Sequence, residues 1–336
     1  MDSLTQVALG AAVGVAVMRR RTAVWKAALW GAVAGTLPDL DVFVEHGDPI
    51  LNMVRHRAES HALFWLTLFS LPLAAIVARL HGEWALRRRW WLALWLALVT
   101  HPLLDALTVY GTQLGLPFSS HPVALGSVFI IDPLVTLPWL AGTAWTLARR
   151  GGGKGLRAND VGLLLGCAYL AWGVLAQQEV RAQALAALQA QGVQAERVLV
   201  TPAGFSSLLW RVVAIDGGQY LEGYRSLFDA DGSMAFDRFD RGAALDAQLG
   251  ANPGAVRIRA FSHGFYKLHE ADGLVRITDL RMGAEPRYSF SFALARRSSA
   301  LQALPVPLAM GRGPDLRQAL PWFWQRLRGL PLSPAR

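Results

Sequence analysis

Residues 89–108 read RWWLALWLALVTHPLLDALT. The run opens on arginine and tryptophan and stays apolar until His101 and Asp105. A helix of about 20 apolar residues crosses the hydrocarbon core of a bilayer, so this stretch predicts a membrane span. His101 and Asp105 are four residues apart, which places an imidazole and a carboxylate on one helix face. An ionisable pair inside a span is costly and is usually functional.

Five more apolar runs lie around it, at 4–18, 23–37, 61–80, 128–148 and 160–178. Together they predict an α-helical membrane bundle of about six transmembrane helices. The first two runs are short, and Gly10, Gly14, Gly31 and Gly35 give them small faces suited to close helix packing. The chain has 336 residues, 53% of them hydrophobic, with a mean hydropathy of +0.29. The net charge of +9 raises nucleic acid as a partner. The arginines sit instead at the ends of apolar runs, as membrane topology demands, and no nucleic-acid partner is expected. Cys167 is the one cysteine, which excludes an intramolecular disulfide and reads as a buried apolar residue.

Basic residues set the orientation. Arg19–Arg21 and Lys26, then Arg79 and Arg87–Arg89, then Arg149, Arg150, Lys154 and Arg157 fall in alternate connections. The intervening connection 109–127 carries no Lys or Arg, and the one after the second run has only Arg55 and Arg57 mixed with acids. The basic connections are expected in the cytoplasm and the others outside. No cleavable signal is expected, because positive charge follows the first apolar run rather than preceding it. This topology carries Asp2, Asp39, Asp41, His56 and His61 to the outer side, and places His101, Asp105 and Asp132 near it.

Composition changes after about residue 180. Arg181–Gln194 reads as a helix leaving the membrane. Short alternating runs follow at 208–214, 218–224, 256–261 and 274–277, and turn residues separate them at Asp216-Gly217-Gly218, Asp231-Gly232 and Asp272-Gly273. That pattern predicts antiparallel hairpins. The expected organisation is a transmembrane helical domain with a metal site (1–180), a β-rich extramembrane domain on the outer side (195–300) and a tail (301–336). The tail's Pro321–Arg328 run either lies in the lipid interface or packs on the β-rich domain.

Asp39, Asp41, His56, His61, His101 and Asp105 are the candidate metal ligands. A mixed imidazole and carboxylate set suits zinc or another divalent ion, and one to three ions fit the number of donors. Asp39 and Asp41 point to opposite sides if the backbone there is extended. One then ligates while the other orients a histidine or caps the next turn. Ser60 reads as a helix N-cap. Glu59 is a candidate general acid or base, or a solvated charge. Asp132 either stabilises a helix N-terminus or joins the catalytic site. Asp2 and Gln6 enter the first run on the ligand side.

The motifs Leu37-Pro38-Asp39-Leu40-Asp41, His56-Arg57-x-x-Ser60-His61 and Thr100-His101-Pro102-Leu103-Leu104-Asp105, with Thr108 and Gly111-Thr112, resemble the YdjM-like family of bacterial membrane proteins. The resemblance covers about residues 1–150. Later segments also look like longer members: Trp210-Arg211-Val212-Val213, Phe261-Ser262-x-Gly264-Phe265-Tyr266 and Thr278-Asp279-Leu280-Arg281. The resemblance implies a metal-dependent hydrolase of the inner membrane, distantly similar to zinc-dependent phospholipases C. Asp39 and Asp41 match its acidic pair, His56 and His61 its paired histidines, and His101 and Asp105 its helical motif. Ala58 and Glu59 stand where the family often has Gly and Thr. The expected activity is hydrolysis of an ester or phosphoester of a membrane lipid or lipid-linked substrate. The alternatives are a membrane scaffold with a structural metal, and a transporter.

Overall fold

The computed structural model describes residues 1–230 and 234–334. The expected Asp231-Gly232 turn begins at residues outside that range. The chain forms two compact units, Met1–Val44 with Arg55–Val174, and Glu45–Val54 with Leu175–Arg336.

The first unit is helical. It holds α1 (Ser3–Met18) and α2 (Val24–Thr36) and, beyond the short α3 (Pro49–Arg55), α4 (Leu63–Leu80), α5 (Arg87–Ala106), α6 (Pro133–Ala148) and the first part of α7 (Gly153–Ala190). Helix α1 is apolar on all sides and packs against α2, α5 and α6, which makes it the core helix of the unit. The glycine faces of α1 and α2 interlock. A Cβ on Gly14 would stand 2.3 Å from the Ala27 carbonyl oxygen, and one on Gly35 would stand 2.7 Å from that of Gln6. Asp2 caps α1 by accepting from the Thr5 amide, and Asp132 caps α6 by accepting from that of Leu134.

Among the described residues two helices, α4 and α7, are long and apolar enough to cross a membrane. That is fewer than the six spans expected. Helices α1, α2 and α6 have 16, 13 and 16 residues, and α5 begins with three arginines. Large apolar side chains stay exposed on α4 (Phe64, Leu68, Leu71, Ile76), α6 (Leu137, Trp145) and α7 (Leu164, Trp172). Cys167 is exposed rather than buried, because it lies on this outward face of α7. The helix runs from Gly153 to Ala190 without a break, so the apolar run expected at 160–178 and the helix expected at Arg181–Gln194 are one element.

The basic connections gather at one end of the unit. Arg19 pairs with Asp160, Arg20 donates to the Gly151 carbonyl, and Arg89 donates to that of Val17. The candidate ligands lie at the opposite ends of α1 and α5.

The second unit contains two four-stranded antiparallel sheets. The first has the order β1 (Arg197–Pro202), β2 (Leu209–Asp216), β3 (Gln219–Ser226), β4 (Phe236–Asp240). The second comprises β5 (Tyr266–Ala271), β6 (Leu274–Asp279), β9 (Ser291–Arg297) and β10 (Leu301–Ala309), in the order β10-β9-β6-β5. A small ribbon joins β7 (Gly283–Ala284) to β8 (Arg287–Tyr288). Side-chain alternation sorts β2. Trp210 and Val212 pack with Ala176, Val180 and Ala184 of α7, whereas Val213 and Ile215 pack with Phe265, Leu280 and Tyr288. The turn Asp272-Gly273 has φ of +54° and +68°, as a two-residue hairpin with both central residues left-handed requires.

Residues 256–261, expected as a strand, lie in helix α9 (Pro253–Phe261), which follows the short α8 (Ala243–Leu249). The Asn252 side chain accepts from the Gly254 and Ala255 amides, and Pro253 occupies the first helical position. This start signal outweighs the local alternation. Ala255, Ile258 and Phe261, at helical spacing, turn inward. The tail forms α10 (Leu316–Leu327), which packs Phe323 and Leu327 against Leu209 and Tyr224, while Arg326 pairs with Asp229. Of its two expected placements, the packed one is observed. Segment 45–54 also belongs to this unit: Asp48 pairs with Arg257, and the buried Ile50 lies against Gly254.

Candidate metal centre

Helix α5 fixes half of the site. It sets His101 and Asp105 one turn apart, both fully buried. Asp39 and Asp41 lie on a 3-10 turn, Leu37–Phe43, that continues α2. His61 ends a second 3-10 turn, Glu59–His61. Donor atoms of Asp39, His61, His101 and Asp105 all lie within 4.8 Å of one another.

Five of the six edges of this group are similar in length. His61 Nε2 is 3.1 Å from His101 Nε2, 3.5 Å from Asp39 Oδ1 and 3.3 Å from Asp105 Oδ2. His101 Nε2 is 3.4 Å from Asp39 Oδ1 and 3.3 Å from Asp105 Oδ2. A tetrahedral zinc shell with ligand bonds of about 2.0–2.1 Å has edges of about 3.3 Å. The five distances match it.

The hydrogen bonds assign the tautomers. His101 Nδ1 lies 2.6 Å from the Gly35 carbonyl oxygen, which can only accept, so Nδ1 carries the proton. Ser60 donates its one hydroxyl proton to Asp41 Oδ2 at 2.6 Å. It therefore accepts from His61 Nδ1, 2.8 Å away. In the neutral imidazoles both Nε2 atoms then present lone pairs, toward each other and toward two carboxylates. Asp105 Oδ2 is buried and accepts no hydrogen bond. With both imidazoles neutral, four lone pairs converge, an arrangement that suits a cation.

Asp41 and His56 stand outside the four-donor group and support it. His56 Nδ1 lies 2.8 Å from Asp41 Oδ1, and the Arg57 amide donates to Asp41 Oδ2 at 2.9 Å. Burial pushes the Asp41 carboxyl up, but these donors and the Ser60 hydroxyl outweigh it and hold the carboxyl below its ordinary range. Asp39 falls within the four-donor group and Asp41 outside it, on a 3-10 turn rather than an extended backbone. Ser60 acts as a relay to His61, not as a cap.

Glu59 is exposed and does not join the group. Asp132 does not join it either: besides capping α6, it accepts from the Tyr169 hydroxyl at 3.1 Å. Asp2 serves its helix cap, whereas Gln6 reaches the site and donates to Asp105 Oδ1 at 3.1 Å. The Met1 amine also contacts Asp105. Arg57 was not singled out for this site by sequence reasoning. It is 3% exposed, with Nε 3.3 Å from Asp105 Oδ2. The available signal was a cation between paired histidines in an acid-rich connection otherwise poor in basic residues.

Among the described residues the chain combines two helices long and apolar enough to cross a membrane, a set of imidazoles and carboxylates able to hold an ion, and a β-sheet-rich region after them. The chain belongs to the YdjM inner membrane protein family, whose model matches residues 1–180. It is 30% identical over 178 residues to the uncharacterized protein YfhP of Bacillus subtilis (strain 168), an alignment covering 51% of this chain and 53% of that protein. The chain thus spans about half the length of that curated relative. No solved structure matches it.

Proposed function

We propose that this protein is a membrane-embedded hydrolase that uses one divalent ion, zinc by its donor set, to cleave an ester or phosphoester of a lipid or lipid-linked substrate. Asp39, His61, His101 and Asp105 would hold the ion. Bound there, it supplies Lewis acidity toward an ester oxygen and toward water. Ser60 and the Gly35 carbonyl hold the imidazoles in the ligating tautomer, and Asp41 anchors Ser60. The carrying observation is the convergence of four unprotonated donors at tetrahedral spacing.

In this reading the helices of the first unit form the six-helix membrane bundle, with α1 shielded inside it. The exposed apolar faces of α4, α6 and α7 support it. The gathering of arginines at one end, with the donors at the other, supports a cytoplasmic arginine end and a periplasmic site.

A structural ion is the second reading, favoured by the count of four protein donors, since closed shells are typical of structural zinc. Against it, the Asp39 side chain is 22% exposed, which marks an open side.

Elemental analysis of the purified protein tests the reading together with a lipid and phosphoester substrate screen. We expect about one zinc per chain, and loss of both metal and turnover in His61→Ala and His101→Ala. Protein that binds no divalent metal overturns the proposal. Metal without turnover on any ester favours the structural ion.

A further inference from the structure

Arg57 is a cation buried beside the candidate metal centre. Its Nε is buried and makes no aligned hydrogen bond, although Asp105 Oδ2 is 3.3 Å away. Its Nη1 donates to the Thr108 hydroxyl at 3.3 Å, and the guanidinium lies over the Tyr110 ring at 5.0 Å. The residue is held at φ +66°, a left-handed backbone that disfavours a long side chain. The Asp41 carboxylate fixes this conformation through the Arg57 amide, and the Gln113 amide does so through the Arg57 carbonyl. Strain and burial concentrated on one cation at a site mark a functional constraint.

Charge indicates what that function is. Asp39, Asp41 and Asp105 gather three carboxylates at the site, and Arg57 and the Met1 amine lie beside Asp105. A guanidinium matches the paired oxygens of a phosphoryl group. A neutral carboxylic ester offers it no charge.

We propose that Arg57 is a substrate-positioning residue that clamps a phosphoryl group at the metal, so that the substrate is a phosphate ester. This rests on the metal-centre reading above and narrows its substrate class.

The test uses full-length protein loaded with zinc and measures inorganic phosphate binding by calorimetry in Arg57→Gly and Arg57→Lys. Glycine accepts the left-handed backbone, so Arg57→Gly removes the clamp without added backbone strain. We expect both variants to keep the wild-type zinc content. Phosphate affinity should fall at least tenfold in Arg57→Gly and less in Arg57→Lys. A second arm uses short-chain phosphatidate. Tighter binding than phosphate, with the same loss in Arg57→Gly, assigns a lipid headgroup, and equal binding assigns a free phosphate; either result carries the clamp. Phosphate affinity unchanged in Arg57→Gly overturns the inference. Zinc lost along with Arg57 also overturns it, because Arg57 then only organises Asp105. Wild-type protein that holds no zinc fails the underlying reading instead.

Discussion

A Cβ on Gly10 of α1 would stand 2.3 Å from the carbonyl oxygen of Gly31 on α2, and one on Gly31 would stand 2.2 Å from that of Gly10. The backbones touch, and no side chain can yield. Gly10→Ala or Gly31→Ala must therefore push the helices apart, at a cost of about 1–3 kcal/mol or more. Helix α2 also presents the Gly35 carbonyl to His101, so the same variants should lose zinc. Thermal unfolding in detergent and elemental analysis check both outcomes; an unchanged melting temperature would contradict this packing.

Ser60→Ala removes the link between Asp41 and His61 and leaves all four donors in place. Partners that orient a ligand typically contribute 10–100-fold to metal affinity. We expect a loss of that size in chelator competition, with zinc stoichiometry restored at saturating metal. Wild-type affinity in this variant would show that the relay does not set the His61 tautomer.

His269 on β5 gives the second unit an acid sensitivity. Burial pushes its imidazole down to about 4, with Lys267 and Arg276 adding to the shift. The folded state therefore resists protonation that the unfolded chain accepts near its ordinary value of about 6.5. Stability from this source is complete above about pH 6.5 and drains away as pH falls toward 4, by at most about 3 kcal/mol. His269→Gln should flatten unfolding midpoints measured across that interval. A variant that keeps the wild-type slope would assign the acid loss elsewhere.

Asn252→Ala removes the side chain that caps α9. Such caps contribute about 1 kcal/mol. The variant should melt lower by that amount, while Asn252→Asp should stay near wild type. Equal melting of all three proteins would show that the cap is silent.

The site was more legible than the fold around it. His101 and Asp105 could be paired because helix periodicity relates them directly. Asp39 and His61 could be added because polar residues between two apolar runs have few other uses. Arg57 escaped because its role depends on a left-handed backbone, which no residue type announces except glycine. Residues 256–261 were misread because alternation over six residues fits strand and helix alike. The cue that decides between them, Asn252-Pro253, stands just before the run. Two of the six expected spans meet the length and apolarity of a crossing helix, because shorter or charge-flanked helices such as α1 and α5 do not declare by themselves whether they face lipid or protein.

Segment 45–54 folds with the C-terminal unit although both its flanks, with Asp41 just before and His56 just after, belong to the helical one. The polypeptide is thus stitched through both bodies, and the family boundary near residue 180 is no safe place to cut. A gene shortened there would leave Ile50 without Gly254 beneath it, a short distance along the backbone from the ligands.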